Sequence, residues 1–302
     1  METLVQIAPP RPEAGPRLPD FLRKSATHFE SLTALKKDLR ALNLHTVCES
    51  ARCPNIHECF HRGAATFMIL GNLCTRGCTF CSVPKFNPRK QESPLDPDEP
   101  AHVARMAATM KLRYVVITSV NRDDLADGGS THFAATVTAV QQALPAAQVE
   151  VLTPDFDGNL DAVARVLDVA PDVFNHNMET IARLYRSVRP QAKYQQSLDV
   201  LKFAKQHRPQ ALTKSGLMVG LGEKFDEVCR LLEDLRAADT DIATIGQYLQ
   251  PSRKNRRVTR HVPPEEYERW REYGLSIGFK NVFAGPFVRS SYMADLVHEE
   301  AV

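Results

Sequence analysis

The chain has no apolar run approaching the ~18–20 residues that cross a bilayer, so a membrane-spanning helix is not expected. Lys and Arg number 38 against 36 Asp and Glu, a formal net charge of +2. That balance removes the electrostatic argument for nucleic acid as a main partner. No Gly-x-Gly-x-x-Gly follows a predicted strand, which counts against a dinucleotide-binding fold. The opening residues Met1 to Pro10 lack a basic stretch followed by an apolar one, and they are not an Arg- and Ser-rich amphipathic presequence. With no secretory signal expected, disulfides are not expected either. Reduced cysteines and a cytoplasmic location are the expectation.

What is present is cysteine in a narrow window. Six of seven fall between Cys48 and Cys81. Cys48, Cys53 and Cys59 have the spacing C-x4-C-x5-C, and Cys74, Cys78 and Cys81 the spacing C-x3-C-x2-C. Thiolates this close can converge on a soft metal centre. Zinc is the first rival, but its sites usually bring cysteines as C-x-x-C pairs or mixed with histidine. Two sets of three point instead to two iron–sulfur clusters, each with one ligand position that cysteine does not fill. Cys229, in the helical pattern Asp226 to Leu232, reads as a core residue.

Residues 1 to about 20 contain Pro9, Pro10, Pro12, Pro16 and Pro19 and read as an extended or disordered arm. Leucines at 32, 35, 39 and 42 predict an amphipathic helix over 30–43. The first cysteine group follows without regular periodicity. From Thr66 the pattern alternates strand and helix. Strands are expected at 66–70, 114–120, 148–153, 172–175, 212–219, 242–247 and 281–284. Helices are expected at 98–111, 131–144, 159–169, 178–188, 197–207, 225–238 and 264–277. Prolines 145, 171 and 209 mark helix ends. Short apolar strands between amphipathic helices argue for a parallel sheet with helices outside. About six such units suit a partial TIM-type (β/α)6 barrel better than a doubly wound sheet. The division expected is an N-terminal arm and first-cluster loop over 1–60, a partial barrel over 61–285, and a C-terminal segment over 286–302 returning across the open rim. Each strand is followed by polar, Gly-rich or Cys-rich residues, the layout of one site fed by many loops.

The C-x3-C-x2-C group with Phe80 before its last cysteine resembles the signature of radical S-adenosylmethionine (SAM) enzymes. From about Leu18 to Asp295 the chain resembles the lipoyl synthase family more narrowly. The resemblance lies in Leu44–Asn55, Ala65–Gly71, Thr118–Leu125, Glu150–Phe156, Val173–Thr180, Thr213–Glu223, Thr244–Pro251 and Gly285–Tyr292. The upstream C-x4-C-x5-C and the late Arg289-Ser-Ser-Tyr292 are the specific features. The resemblance implies two 4Fe-4S clusters and SAM. Cys74, Cys78 and Cys81 would hold the SAM-binding cluster, where one electron cleaves SAM to methionine and a 5′-deoxyadenosyl radical. That radical takes hydrogen from carbons 6 and 8 of an octanoyl chain on a carrier-protein lysine. The auxiliary cluster on Cys48, Cys53 and Cys59 would donate the sulfur, its fourth ligand a serine, Ser291 or its neighbour Ser290. Implied partners are an octanoylated carrier domain (a 2-oxoacid dehydrogenase E2 or a glycine-cleavage H protein), an electron donor such as flavodoxin or ferredoxin, and an iron–sulfur carrier. A radical SAM enzyme that uses its second cluster otherwise, and a zinc-stabilised binding module, are the competing readings.

For SAM contacts the resemblance implies Phe80 beside adenine, Asn175 and Glu179 on the ribose, Ser119 at the methionine moiety and Lys214 at its carboxylate. Lys214 has an internal carboxylate as its alternative, and Glu179 a helix N-terminus. Arg289 positions substrate or pairs with Asp123 or Asp124. His176 is a candidate catalytic group or a satisfied rim histidine. The family usually has histidine where this chain reads Arg253-Lys-Asn255-Arg-Arg-Val258, histidine at Met293, and tryptophan at Phe60. The basic run Arg253, Lys254, Arg256, Arg257 and Arg260 is either a solvated face or a dock for an acidic carrier.

Overall fold

A computed structural model describes residues 19–22, 30–50, 53, 55–61, 63–292 and 294. Most of the proline-rich arm, the Phe60 side chain and Met293 lie outside them. Eight strands form one sheet: β1 His45–Thr46, β2 Ala64–Ile69, β3 Tyr114–Ser119, β4 Gln148–Leu152, β5 Val173–Asn175, β6 Leu212–Val219, β7 Ile242–Gln247 and β8 Asn281–Gly285. The helices are α1 Glu30–Ala41, α2 Val47–Ser50, α3 Ile56–His61, α4 Glu99–Thr109, α5 Ser130–Ala143, α6 Leu160–Asp168, α7 Tyr185–Val188, α8 Tyr194–His207, α9 Phe225–Ala237 and α10 Pro264–Ser276.

The strands pair in sequence order, β1 antiparallel to β2 and every later pair parallel. A doubly wound sheet would reverse direction partway, and this one does not. Six helical crossings join seven parallel strands that curl into an open barrel. β8 pairs only with β7, so the sheet is not closed. The strands β2 and β7 are buried along their full length, as expected of parallel strands covered on both faces.

Local chemistry sets the ends of the helices. Asn159 caps α6 by accepting from the Ala162 N–H at 3.2 Å, and Glu227 closes the start of α9 on the Lys224 N–H at 2.8 Å. α10 opens on Pro264, where a missing N–H costs nothing. Outside the barrel, Trp270 stacks on Phe225 and meets Tyr267 edge-on. Inside, Val173, Leu212 and Ile242 fill one end with apolar side chains.

Two expectations change. Residues 178–188 are not one helix: a 3-10 turn at Ala182–Leu184 leads into α7. Glu179 adopts a left-handed backbone (φ 65°) and bridges to β6, where its N–H donates to Gly216 O and its carbonyl accepts from Met218 N–H, both at 2.9 Å. That pairing, with the Thr180 N–H donating back to Met178 O at 2.8 Å, holds residues 178–180 in a tight turn rather than a helix. The first cysteine group also has regular structure, with Cys48 in α2 and Cys59 in α3.

Candidate active site in the barrel mouth

A cavity of about 500 Å³ opens at the C-terminal ends of the strands. Cys48, Cys53, Cys59, Cys74, Cys78, Cys81, Ser290 and Ser291 all line it. The loop carrying Cys74–Cys81 follows β2 and is pinned from beneath by Arg76. This guanidinium, 4% exposed, pairs with the fully buried Asp155 at 2.7 Å and with Asp123 at 2.8 Å. One buried arginine thereby ties the cysteine loop to the loops after β3 and β4. From the other side, Asn255 Nδ2 donates to Cys81 O at 2.9 Å and the Arg256 N–H to Thr79 O at 2.9 Å.

Residues 286–292 reach the first cysteine group. Asn55 Nδ2 donates to Phe287 O at 2.7 Å, and Tyr292 Oη donates to the Glu58 carboxylate at 3.1 Å. Ser290 Oγ donates to Asn177 Oδ1 at 2.9 Å. Two glycines admit this return. A Cβ on Gly216 would sit 2.5 Å from Ser290 Oγ, and one on Gly246 would collide with Val288 O. Ser290 is thus engaged with β6 and its neighbours, while Ser291 lines the cavity with the first three cysteines.

Burial pushes the Cys48 thiol up to about 12, and the neighbouring Cys53 and Cys59 add to it. Burial likewise pushes Cys81 up to about 11 and raises Cys78. Three thiolates packed together out of water repel each other, so this donor set is stable in ionised form only around a cationic centre. Among the described residues no three His, Cys, Asp or Glu side chains are drawn together as the ligand set of one metal ion. Each triplet leaves one ligand position of a four-coordinate or four-iron site to another donor, and soft thiolates of this kind suit iron–sulfur or zinc chemistry.

Other cavity-wall groups suit a polar ligand. Ser119 Oγ, Thr153 Oγ1 and Arg189 Nε are shut off from solvent and have no partner among the described residues, and all three residues line the cavity. Phe80 and Glu179 line it too. Burial raises the Glu179 carboxyl, against the pull of Arg189 and of Asn177 Nδ2, which donates to it at 3.0 Å. Glu179 stands at no helix N-terminus.

Four residues expected near a ligand have other partners, and two of them match the alternatives expected for them, a satisfied rim histidine at His176 and an internal carboxylate at Lys214. Lys214 does not face the cavity: its ammonium, 1% exposed, sits 3.0 and 3.1 Å from the Glu150 carboxylate oxygens. Asn175 joins the same interior network, donating to Glu150 Oε1 at 2.8 Å, with Tyr114 Oη on Oε2 at 2.9 Å. Both residues lie below the cavity floor rather than on it. His176 lines the cavity but is satisfied on both ring nitrogens. Nδ1–H donates to Thr153 O at 2.9 Å, so Nε2 accepts from Ser197 Oγ at 3.0 Å. Burial, helped by Arg189, lowers its pKa to about 4, which leaves a neutral positioning residue rather than an acid. Arg289 pairs with neither aspartate, because Asp123 is held by Arg76 and Asp124 by Arg122. Its Nη1 donates to Val288 O at 2.6 Å, and burial works against its charge while nearby Cys53 favours it.

Arg76, Asn177 and Arg189 are the residues sequence reasoning passed over, and Asn255 enters it only as a departure from the family pattern. Arg76, between Cys74 and Cys78, was open to view as the one charged residue within that spacing. Arg189 had only the following Pro190 as a signal.

Residues 68–235 match the radical SAM superfamily, and residues 8–53 match the N-terminal domain of lipoyl synthase of that family. The lipoyl synthase of Rubrobacter xylanophilus is 52% identical over 283 residues, covering 94% of this chain and 87% of that protein. That of Caldanaerobacter subterraneus subsp. tengcongensis is 51% identical over 280 residues, covering 93% and 96%. Among solved structures, HydG, a maturase of the [FeFe]-hydrogenase, superposes with TM-score 0.54 at 12% identity, over 85% of this chain and 62% of that one. Streptococcus suis SuiB bound to S-adenosylmethionine gives TM-score 0.54 at 11% identity, over 85% and 61%. Those two likenesses speak for the fold, whereas identity near one half across nearly the whole chain speaks for the family. The chain belongs to the lipoyl synthase family of the radical SAM superfamily.

Proposed function

We propose that this protein inserts two sulfur atoms, at carbons 6 and 8, into an octanoyl chain amide-linked to a lysine of a carrier domain. The observation carrying this reading is that both cysteine triplets and Ser291 line one cavity. Cys74, Cys78 and Cys81 would hold a four-iron cluster with one iron left to SAM. Cys48, Cys53, Cys59 and Ser291 would hold the second cluster, the sulfur source. When bound, cluster and SAM supply a carbon-centred radical, the reagent an unactivated methylene requires because it has no acidic proton.

The chain's own contribution is position and dryness. Arg76 and Asn255 fix the second triplet's loop from two sides. Ser119 and Glu179 offer polar contacts at the wall, and Phe80 offers a ring. Arg189 is one of the cations on the wall, takes the role first expected of Lys214, and suits a ligand carboxylate. Met68, Leu152 and Leu217 line the space with apolar surface, which keeps water from competing for a reactive intermediate. Ser291 presents a harder oxygen donor than thiolate, which eases release of the iron it holds as sulfur leaves. A flavodoxin or ferredoxin would supply electrons and an iron–sulfur carrier would restore the spent cluster, in the cytoplasm. Among the described residues no helix is long and apolar enough to cross a membrane.

Anaerobic reconstitution followed by SAM, a reductant and an octanoylated carrier domain tests the reading. Iron and sulfide equal to two four-iron clusters, and a carrier heavier by two sulfurs, are expected. SAM cleavage without sulfur on the carrier would instead point to other radical chemistry. Ser291→Cys is expected to rebuild its cluster yet transfer sulfur poorly; normal turnover by that variant would remove the serine's role.

A further inference from the structure

We propose that Arg253, Lys254 and Arg257 form a docking surface for the acidic face of the carrier that presents the octanoyl-lysine, an inference that rests on the substrate reading above. Residues Tyr248 to Pro264 contain five Lys or Arg and no Asp or Glu. In a chain whose charges nearly cancel, that run is a local asymmetry rather than a general property.

The structure sorts the five. Arg260 is bound in a pair with Glu266 at 2.7 Å. Arg256 turns inward, donating to Ser187 Oγ at 3.1 Å and to Leu221 O at 3.2 Å. Arg253, Lys254 and Arg257 are left exposed, with no ion pair among the described residues. They therefore present positive charge that no part of the described fold neutralises.

Their loop is also fixed to the site. Leu249, Gln250 and Pro251, just before the run, line the cavity. Asn255 and Arg256, within it, bond the cysteine loop, and Tyr248 Oη donates to Arg256 O at 2.8 Å. The three free cations consequently stand at the cavity's edge on a held segment, where a carrier must lie if its modified lysine is to reach inside. Charge at such a rim acts on encounter rate and salt sensitivity, and steering of this kind raises association by about 10- to 1,000-fold.

The test compares two substrates on the reconstituted holoenzyme, an octanoylated carrier domain with a negative surface and a short octanoyl-lysine peptide free of acidic residues. The triple variant Arg253→Glu/Lys254→Glu/Arg257→Glu is expected to raise Kd and KM for the carrier about tenfold or more. Its kcat, and its KM for the peptide, should stay as in wild type. Added salt should weaken carrier binding to wild type and leave the variant's binding nearly flat. An unchanged carrier Kd would overturn the proposal. So would equal losses with carrier and peptide, since that pattern means a disturbed cysteine loop. A variant that loses affinity for a short DNA duplex yet keeps the carrier would assign the patch to nucleic acid instead. Should wild type modify neither substrate, the substrate reading fails, and the carrier Kd still decides the surface by itself.

Discussion

The side-chain amide of Asn255 donates to the backbone carbonyl of Cys81 at 2.9 Å, across 174 residues of chain. Its Oδ1 accepts from Ser252 Oγ at 2.7 Å, so the amide is oriented before it reaches the cysteine loop. Losing one such bond costs about 1 kcal/mol, too little to unfold the barrel but enough to loosen a ligand. Asn255→Ala should therefore leave the melting transition nearly in place while a chelator strips iron several-fold faster. The clean measurement uses a Cys48→Ala/Cys53→Ala/Cys59→Ala background, where only the second triplet holds iron. Equal stripping rates would show that the bond does not restrain Cys81.

Arg76 holds the same loop more strongly. Burial raises the Asp155 carboxyl, but the Arg76 guanidinium at 2.7 Å, together with the Asp157 N–H and the charge of Arg189, keeps that acid low. Arg76→Met would strand a carboxylate with 0% exposure. Such a broken buried pair costs about 3–5 kcal/mol. Arg76→Met/Asp155→Leu should recover part of that loss in urea unfolding, since neither charge then remains buried alone. A double variant weaker than the single one would contradict this account.

The strands and most helices were legible because their causes are local: continuous apolar runs, prolines at helix ends, polar residues at strand exits. The cysteine spacings carried the site for the same reason. What stayed hidden depends on distance. Lys214 looks like a ligand contact when only its strand is read, and its partner Glu150 is 64 residues away. His176 has the composition of a catalytic group, and only the fold shows Thr153 and Ser197 occupying both nitrogens. Residues 178–188 have a helical pattern, yet the bridge from Glu179 to Leu217 overrides it at the start. Gly216 and Gly246 carry no signal until the segment ending at Tyr292 is seen to lie against them.

The Lys214–Glu150 pair is a closed interior ion pair, and its removal can be measured. Lys214→Met leaves Glu150 buried and unpaired and should destabilise the fold by about 3–5 kcal/mol. Glu150→Leu/Lys214→Met, which removes both charges, should cost much less. Folded Lys214→Met holoenzyme should bind SAM with an unchanged Kd in equilibrium dialysis, because the ammonium does not line the cavity. A large rise in that Kd would return Lys214 to the ligand.

His176 gives the pH dependence. Burial, with Arg189 nearby, lowers its pKa from 6.5 to about 4. In the folded protein the ring therefore stays neutral where the unfolded chain's histidine already takes up a proton. Stability from this group is full above pH 6.5 and is lost as pH falls towards 4, by up to about 3 kcal/mol in all. Glu179, whose carboxyl is raised by burial, pushes the other way at acid pH, and Asp155, held low, adds to the loss. The difference between wild type and His176→Gln removes the parts of both that do not depend on the imidazole, and reports the ring with its coupling to Asp155. That difference in urea-unfolding free energy should be constant above pH 6.5 and shrink steadily below it, as wild type loses what the glutamine variant never had. A difference independent of pH down to 4 would mean that the ring is protonated in the fold, with Nδ1 and Nε2 both donating.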